Sequence, residues 1–147
     1  MSAAKAAWAK VSTTKSRRVS QIEHFAQIND LIESNVTGAL NSNLAFFRGL
    51  SAGGAFEDPM PESDMLAEVW AQEGDIRADT ADWVYPFLML AYQPLSDKDF
   101  DKYIAFSETP AGTKANAAIF AAFDEMFVEL SQDLGREAAR LMQGEDI

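Results

Sequence analysis

Large apolar side chains recur at intervals of three and four residues along almost the whole chain, and this spacing constrains the fold more than any other feature. Such intervals place side chains on one face of an α-helix, whereas a half-buried strand alternates at every second residue. No run of the strand type competes with them, so the sequence predicts an all-α fold of six or seven helices. Two of the clearest stripes are Val19, Ile22, Phe25, Ile28 and Ile32, and then Ile119, Phe123, Met126, Phe127, Leu130, Leu134 and Leu141.

The chain has 147 residues, which is the size of one ordinary domain. We therefore predict a single-domain helical bundle over residues 1–147, with the basic segment 1–20 at its periphery. A domain of this size buries about 70% of the surface of its unfolded chain, so it needs no disulfide or metal ion for stability. Because the sequence contains no cysteine, disulfides, thiolate zinc sites and cysteine nucleophiles are ruled out.

Capping residues and glycines predict the helix ends in the first half of the chain. The hydroxyl groups of residues 12–14 can cap a second helix. The apolar stripe weakens across residues 34–37, which predicts a break there. The helix that follows is expected to close at Gly49, Gly53 and Gly54, and residues 51–61 form the longest predicted loop.

The same signals continue in the second half of the chain. Gly74 is expected to end one helix, and Asp79 or Thr80 is expected to cap the next. Pro86 lies within that helix and predicts a kink, because proline cannot donate a backbone hydrogen bond. Ser96 is the predicted N-cap of the following helix.

The net charge of −11 arises from 12 Lys+Arg and 23 Asp+Glu residues, and it is unevenly distributed. Five of the basic residues precede Glu23, the first acidic residue of the chain. The acidic remainder repels phosphate backbones, so we predict no nucleic-acid partner. No stretch approaches the ~20 apolar residues that span a bilayer, so we predict no transmembrane segment.

Residues 1–20 contain Ala, Ser, Lys and Arg without any acidic residue, and they lack the apolar core of a secretory signal. This composition is similar to that of a mitochondrial transit peptide. A solvated amphipathic helix whose charges share one sign explains the same composition, and we favour that interpretation.

Residues 92–141 contain a proline turn at 94–96, an acidic and aromatic short helix at 99–106, and a Thr-Pro-x-Gly corner at 109–112 that opens a longer helix. In this arrangement the segment resembles the bacterial family called domain of unknown function 2059. The corner also has an ordinary structural role. Thr109 can cap the helix, Pro110 fixes φ in its first turn, and Gly112 permits close approach of the preceding helix.

The resemblance implies a helical bacterial protein to which no activity, cofactor or catalytic residue is assigned. Members usually carry a secretion signal, so the resemblance implies a periplasmic or secreted location. The cytoplasm is the alternative, because this chain shows no signal peptide. The missing signal also suggests a trimmed or mature chain.

Four carboxylates, Asp97, Asp99, Asp101 and Glu108, have the spacing of ligands in an EF-hand calcium loop. The match fails at the sixth loop position, where Lys102 replaces the glycine that the sharp turn needs. A helix start explains Asp97 and Asp99, because they lie in the first turn and face the positive end of the helix dipole. We therefore predict no metal site and keep calcium binding by these four residues as the alternative.

The sequence contains no catalytic signature. His24 is the only histidine, and it has no Glu-x-x-His partner for a di-iron site. The chain has neither a nucleophile-elbow motif nor a glycine-rich phosphate loop. We predict a protein that is not an enzyme and has no cofactor.

An aromatic segment supplies the candidate binding residues Trp83, Tyr85 and Tyr92. Its rings cannot all point the same way on one helix, so most are expected in the core and the others could contact a ligand or partner. The first functional hypothesis is a non-enzymatic protein–protein interaction or self-association module of the bacterial envelope. The second is a small-molecule or metal-binding helical bundle with a pocket near this segment.

Overall fold

The structure is a computed structural model, and it describes residues 2–14 and 16–144. These residues form seven α-helices, one 3-10 helix (η1) and no strand, which confirms the all-α prediction. None of the helices in this part of the chain is both long and apolar enough to cross a bilayer. The elements are α1 (Ser2–Val11), η1 (Ser12–Thr14), α2 (Arg17–Ile28), α3 (Leu31–Ala52), α4 (Glu62–Trp70), α5 (Glu73–Ala91), α6 (Asp97–Ser107) and α7 (Pro110–Met142).

The contacts divide the helices into two compact units. Unit 1 contains the described residues of Met1–Asn35 and Arg77–Ile119, and unit 2 contains those of Val36–Ile76 and Phe120–Ile147. The boundaries fall inside α3, α5 and α7, so each of these helices contributes residues to both units. The assignment of residues 1–147 to a single domain stays a prediction.

Unit 1 has a core of large side chains. The predicted stripe on α2 supplies its buried face, and both Ile22 and Phe100 are completely buried. Trp8 of α1 packs against this core and stacks on Tyr85 with a centroid distance of 5.5 Å. The core residues come from α2, α5 and α6 and are Ile22, Phe25, Ala26, Val84, Leu88, Phe100 and Ile104.

A row of polar contacts joins α2 to α6 within unit 1. Arg18 pairs with Asp97 at 2.7 Å, and Arg17 pairs with Asp101. Gln21 donates hydrogen bonds to the carboxylate of Asp101 and to the main-chain carbonyl of Asp97. Three of the basic residues that precede Glu23 therefore have acidic partners inside unit 1, namely Lys5 with Asp82, Arg17 with Asp101 and Arg18 with Asp97. Lys15 lies outside the described residues.

Two predicted boundaries in the first half of the chain are wrong. The N-cap of α2 is Ser16, whose hydroxyl accepts a hydrogen bond from the Val19 N–H at 3.4 Å, while residues 12–14 form η1. The break after α2 lies at Asn29 and Asp30 rather than at residues 34–37, and Asp30 adopts a φ of 52°. Aspartate tolerates this left-handed conformation better than most residues, and α3 then runs without interruption.

In the second half of the chain, two predicted helix boundaries are wrong and two predicted N-caps are confirmed. α5 begins at Glu73, so Gly74 lies in its first turn instead of ending a helix, and neither Asp79 nor Thr80 caps it. Ser96 does cap α6, accepting the Asp99 N–H at 3.1 Å. At the corner, the Thr109 hydroxyl accepts the Gly112 N–H at 3.0 Å.

Unit 2 is built differently, because its fully buried residues are small or of medium size. They come from α3, α4 and α7, and among the described residues of this unit no aromatic side chain is buried. Gly49, one of the three glycines expected to close α3, lies inside the helix and is buried there, while Gly53 and Gly54 directly follow its last residue, Ala52. The other buried residues are Val36, Ala45, Met65, Val69, Gly135 and Ala139.

Candidate functional site

The three aromatic residues predicted to bind a ligand or partner do not form one site. Tyr92 stacks on Phe100 at 4.7 Å between ring centroids, and burial raises the pKa of the Tyr92 hydroxyl well above its usual value. Tyr85 packs against the unit 1 core through its stack with Trp8. Trp83 alone is exposed, at 37% of its surface. The core interpretation of this segment therefore holds for Tyr85 and Tyr92.

The cavities near these elements are shallow and apolar. One of about 120 Å³ lies between α1 and α5, and Gln93 is the single lining residue with a polar side chain. Another of about 230 Å³ lies between α3 and α4 of unit 2, where Leu66 and Trp70 are exposed. Small-molecule pockets typically enclose about 300–1,000 Å³ with several convergent polar groups. Neither cavity supports the small-molecule hypothesis.

The four carboxylates of the calcium alternative lie on α6 and at its C-cap, and each has a cationic or histidine partner. Hydrogen bonds from Lys102 and Ser96 lower the pKa of Asp99, and those from Gln21 and Arg17 lower the pKa of Asp101. In the described part of the chain, no group of three or more His, Asp or Glu side chains could hold a metal ion. The pairs are Asp97–Arg18, Asp99–Lys102, Asp101–Arg17 and Glu108–His24.

A long apolar surface lies on one side of α7 in unit 2, and we call it the outer face. Each of its side chains is between 41% and 63% exposed. Two of the rings, Phe123 and Phe127, stack on each other at 6.1 Å. Contiguous exposed apolar patches of this kind mark interaction sites on soluble proteins. The outer face consists of Phe123, Met126, Phe127, Leu130, Leu134 and Leu141.

Spacings of 11 residues occur twice in the outer face, while the residues 11 positions after Met126 and Phe127 are Glu137 and Ala138. Phe123 and Leu134 are 11 residues apart, and so are Leu130 and Leu141. An 11-residue repeat corresponds to about 3.67 residues per turn, which is close to the 3.6 of an undistorted helix. The apolar side chains therefore stay on one side of α7 over several turns, in the geometry needed to contact another helix along its length.

The opposite face of α7 packs against α3 through glycine and alanine. A Cβ atom added to Gly135 would lie 2.9 Å from the main-chain nitrogen of Leu50 and 3.0 Å from the Cα of Gly49. One added to Gly53 would lie 2.6 Å from the Cβ of Ala139. Real Cβ atoms do not approach other atoms so closely, so the two backbones are in direct contact here and any larger residue is excluded.

Polar contacts fix the rotation of α7 about its own axis. Asn41 of α3 donates to both carboxylate oxygens of Asp124, at 3.0 and 3.2 Å. Near the end of α7, the Gln143 amide donates to the carbonyls of Gly53 and Gly54, at 3.1 and 2.6 Å. With this side of α7 held against α3, the large apolar side chains point away from α3.

Sequence reasoning found the stripe on α7 but not its orientation. The spacing of large residues shows which side chains share a face, and it does not show whether that face is inside. The sequence contained a signal for this packing. Ala45 and Gly49 in α3 and Gly53 just after it recur every four residues, and Gly135 and Ala139 do so in α7. Small residues four apart on two helices indicate close backbone contact.

Comparison with known proteins adds no relative: no family model, no curated protein and no solved structure matches this chain. The resemblance to domain of unknown function 2059 therefore stays a prediction. The function has to be inferred from the geometry of the described residues.

Proposed function

We propose that this protein is a non-enzymatic helical module that binds another protein through the outer face of α7. One observation carries the proposal. α7 packs against α3 through glycine and alanine, and it exposes its phenylalanine, methionine and leucine side chains. An amphipathic helix of an isolated globular domain does the reverse, burying its large apolar stripe.

The energetics favour a partner that covers this face. Complete burial of one large apolar side chain is worth about 1.5–3 kcal/mol relative to full exposure. The six side chains of the outer face are about half exposed, so covering them would release several kcal/mol before the cost of association. That gain offsets much of the cost of association, which is about 4–15 kcal/mol.

A protein partner fits better than a nucleic acid or an anionic membrane. The chain carries a net charge of −11, and both of those surfaces are negatively charged. The bacterial envelope remains the proposed location, on the strength of the family resemblance alone.

Site-specific photo-crosslinking in the producing cell tests this function. A benzophenone amino acid placed at Leu130 reports on the outer face, and one placed at Glu68, exposed on α4, serves as the matched control. We expect a discrete protein adduct from position 130 and none from position 68. If position 130 gives no adduct, or both positions give the same diffuse pattern, the proposal is wrong.

A further inference from the structure

We propose that α1 is a displaceable cover on a second docking surface, which lies on α5 within unit 1, and that the partner of this surface is a basic amphipathic helix that takes the place of α1. The inference goes beyond the proposed function, because it concerns a different helix in a different unit. We call this surface the α5 band. It consists of Trp83, Tyr85, Pro86, Phe87, Met89 and Leu90.

α1 covers one half of the α5 band. Tyr85 stacks on Trp8 of α1, with the ring planes inclined by 7°. Pro86 and Met89 line the cavity of about 120 Å³ that lies between α1 and α5. Detachment of α1 would therefore expose three further apolar side chains of α5 to solvent or to a partner.

The other half of the α5 band is open in the structure. Trp83, Phe87 and Leu90 are 37–52% exposed, and the rings of Trp83 and Phe87 meet edge to face at 6.2 Å. Leu90 also lines the cavity beneath α1, so the open half and the covered half are continuous. Without α1, all six side chains would form one apolar surface, and surfaces of this kind mark interaction sites.

α1 is held weakly compared with the helix that follows it. None of the ten described residues of α1 is buried, whereas α2 buries five of its residues. Trp8 is only partly buried, and Lys5 pairs with Asp82 through side chains that are 44% and 65% exposed. Exposed ion pairs contribute little to stability, and a short helix has little stability of its own in water. α1 can therefore detach while the buried core of unit 1 stays intact.

Two alanines of α1 leave room for a helix that fits better. Ala4 and Ala7 line the cavity from the side of α1, opposite the apolar side chains of α5. Side chains that line a void lose the dispersion contacts that a filled space would give them. A partner helix with leucine-sized residues at these two positions would make contacts that α1 does not make, and it would displace α1 for that reason.

The charges of the two helices indicate that the partner helix is basic. α1 contains Lys5 and Lys10 and no acidic residue. On α5, Asp82 accepts a hydrogen bond from Lys5, and Asp79 is exposed one turn earlier. Opposite charges across an interface speed association and suppress wrong partners. A helix that replaces α1 therefore meets the same acidic edge that now holds Lys5.

Hydrogen exchange of the full-length chain tests whether α1 opens. We expect the amides of α1 to exchange at least about tenfold faster than those of α2, because opening of α1 exposes no buried residue. Ala4→Leu fills the cavity and should slow exchange in α1. Ala6→Leu is the matched control, because Ala6 is exposed and lies on another side of α1 from Trp8. Equal protection of α1 and α2 would make α1 part of the core and would overturn the proposal.

A synthetic helix tests the chemistry of the partner. The probe is a fluorescein-labelled peptide with the sequence of residues 2–11 and the changes Ala4→Leu and Ala7→Leu. By fluorescence anisotropy, we expect it to bind the full-length Trp8→Ala chain at least about tenfold more tightly than the native chain, because loss of the ring stack releases the resident α1. The same peptide with both alanines retained should bind this variant more weakly.

Charge reversal shows whether the peptide occupies the place of α1. Asp82→Lys in the Trp8→Ala chain should weaken binding of the peptide, and Lys5→Glu in the peptide should restore it. Circular dichroism checks that each variant remains helical. Lys5→Glu in the otherwise native chain is a milder way to release α1 and should also increase binding.

Three results would overturn the proposal. They are no binding of the peptide to either released variant, equal binding to the native and Trp8→Ala chains, and binding that Asp82→Lys does not change. The last result would place the peptide on another surface. None of them bears on the outer face of α7, which the benzophenone at position 130 tests separately.

Discussion

The two units place their large apolar side chains in opposite ways. Unit 1 buries rings and branched side chains such as Phe25, Phe100 and Ile22 in a common core. Unit 2 buries small residues where α3 meets α7, and the large residues of α7 are about half exposed. The difference teaches that backbone contact through glycine can join two helices and leave a complete apolar stripe for a partner.

The difference between the two units arises from the distance between their packed helices. Helices usually pack with axes 8–10 Å apart, at a distance set by the side chains between them. Gly49 and Gly135 remove those side chains, so the backbones themselves come into contact. Large residues cannot fit between helices this close, which leaves the outer side as the place for them.

We expect the largest effect on stability when one large apolar side chain in each unit is truncated to alanine. Phe100→Ala removes a completely buried ring of unit 1 and should lower the free energy of unfolding by about 3–5 kcal/mol. Leu130→Ala, at 56% exposure in unit 2, should change it by less than about 1 kcal/mol. Urea unfolding of dilute protein measures both. If both variants lost the same free energy of unfolding, the difference between the two units would be contradicted.

The glycine contact of unit 2 gives the next largest effect. Gly135→Ala places a methyl group against the backbone of α3, and overpacking of this kind costs about 1–3 kcal/mol. Gly74→Ala is the matched control, because a Cβ there meets nothing within 4 Å. Alanine in a helix should then stabilise by up to about 1 kcal/mol. Thermal unfolding of both variants checks the opposite signs, and a neutral Gly135→Ala would contradict the close contact.

A smaller effect tests the corner that starts α7. Thr109→Ala removes the hydroxyl that accepts the Gly112 N–H, and loss of an N-cap costs about 1 kcal/mol. Thr109→Ser keeps the hydroxyl and should restore most of the loss in the same urea titration. If the serine variant is as unstable as the alanine variant, the threonine acts by packing instead of capping.

The smallest effect concerns the polar row between α2 and α6 of unit 1, which unit 2 does not share. Hydrogen bonds from Gln21 and Arg17 lower the pKa of Asp101 below its ordinary 3.8. The stability that the ionised carboxylate contributes is therefore present above pH ~3.8 and lost as the pH falls through the lower, folded-state pKa. Asp101→Asn should flatten unfolding curves measured between about pH 5 and pH 2, and an unchanged pH dependence would contradict this role.

Much of the fold could be predicted from the sequence, because strong local signals decide it. Ser96 and the Thr109–Pro110 pair combine a side-chain acceptor with the right position, and both mark helix starts in the structure. The wrong boundaries had weak or misleading signals. Asp30 breaks the chain with a left-handed turn that few sequence features announce, and Gly74 is tolerated in the first turn of α5.

The candidate site could be predicted only in part. The stripe on α7 was visible, since helical spacing depends on the sequence alone. Its exposure depends on which face of α7 contacts α3, and that contact joins residues far apart in the chain, such as Gly49 and Gly135. The sequence did not indicate whether Tyr85 and Tyr92 would be buried or available to a partner. Tertiary packing places both against the core of unit 1.

Carbene footprinting of the dilute chain, read by peptide mass spectrometry, tests the reversed packing of α7 most directly. The account predicts strong labelling of Leu130 and Leu134, comparable to that of Phe106, which is 48% exposed on α6. It predicts almost no labelling of Phe100, which is completely buried. Labelling of Leu130 and Leu134 as weak as that of Phe100 would show that the stripe is inside and would contradict the account.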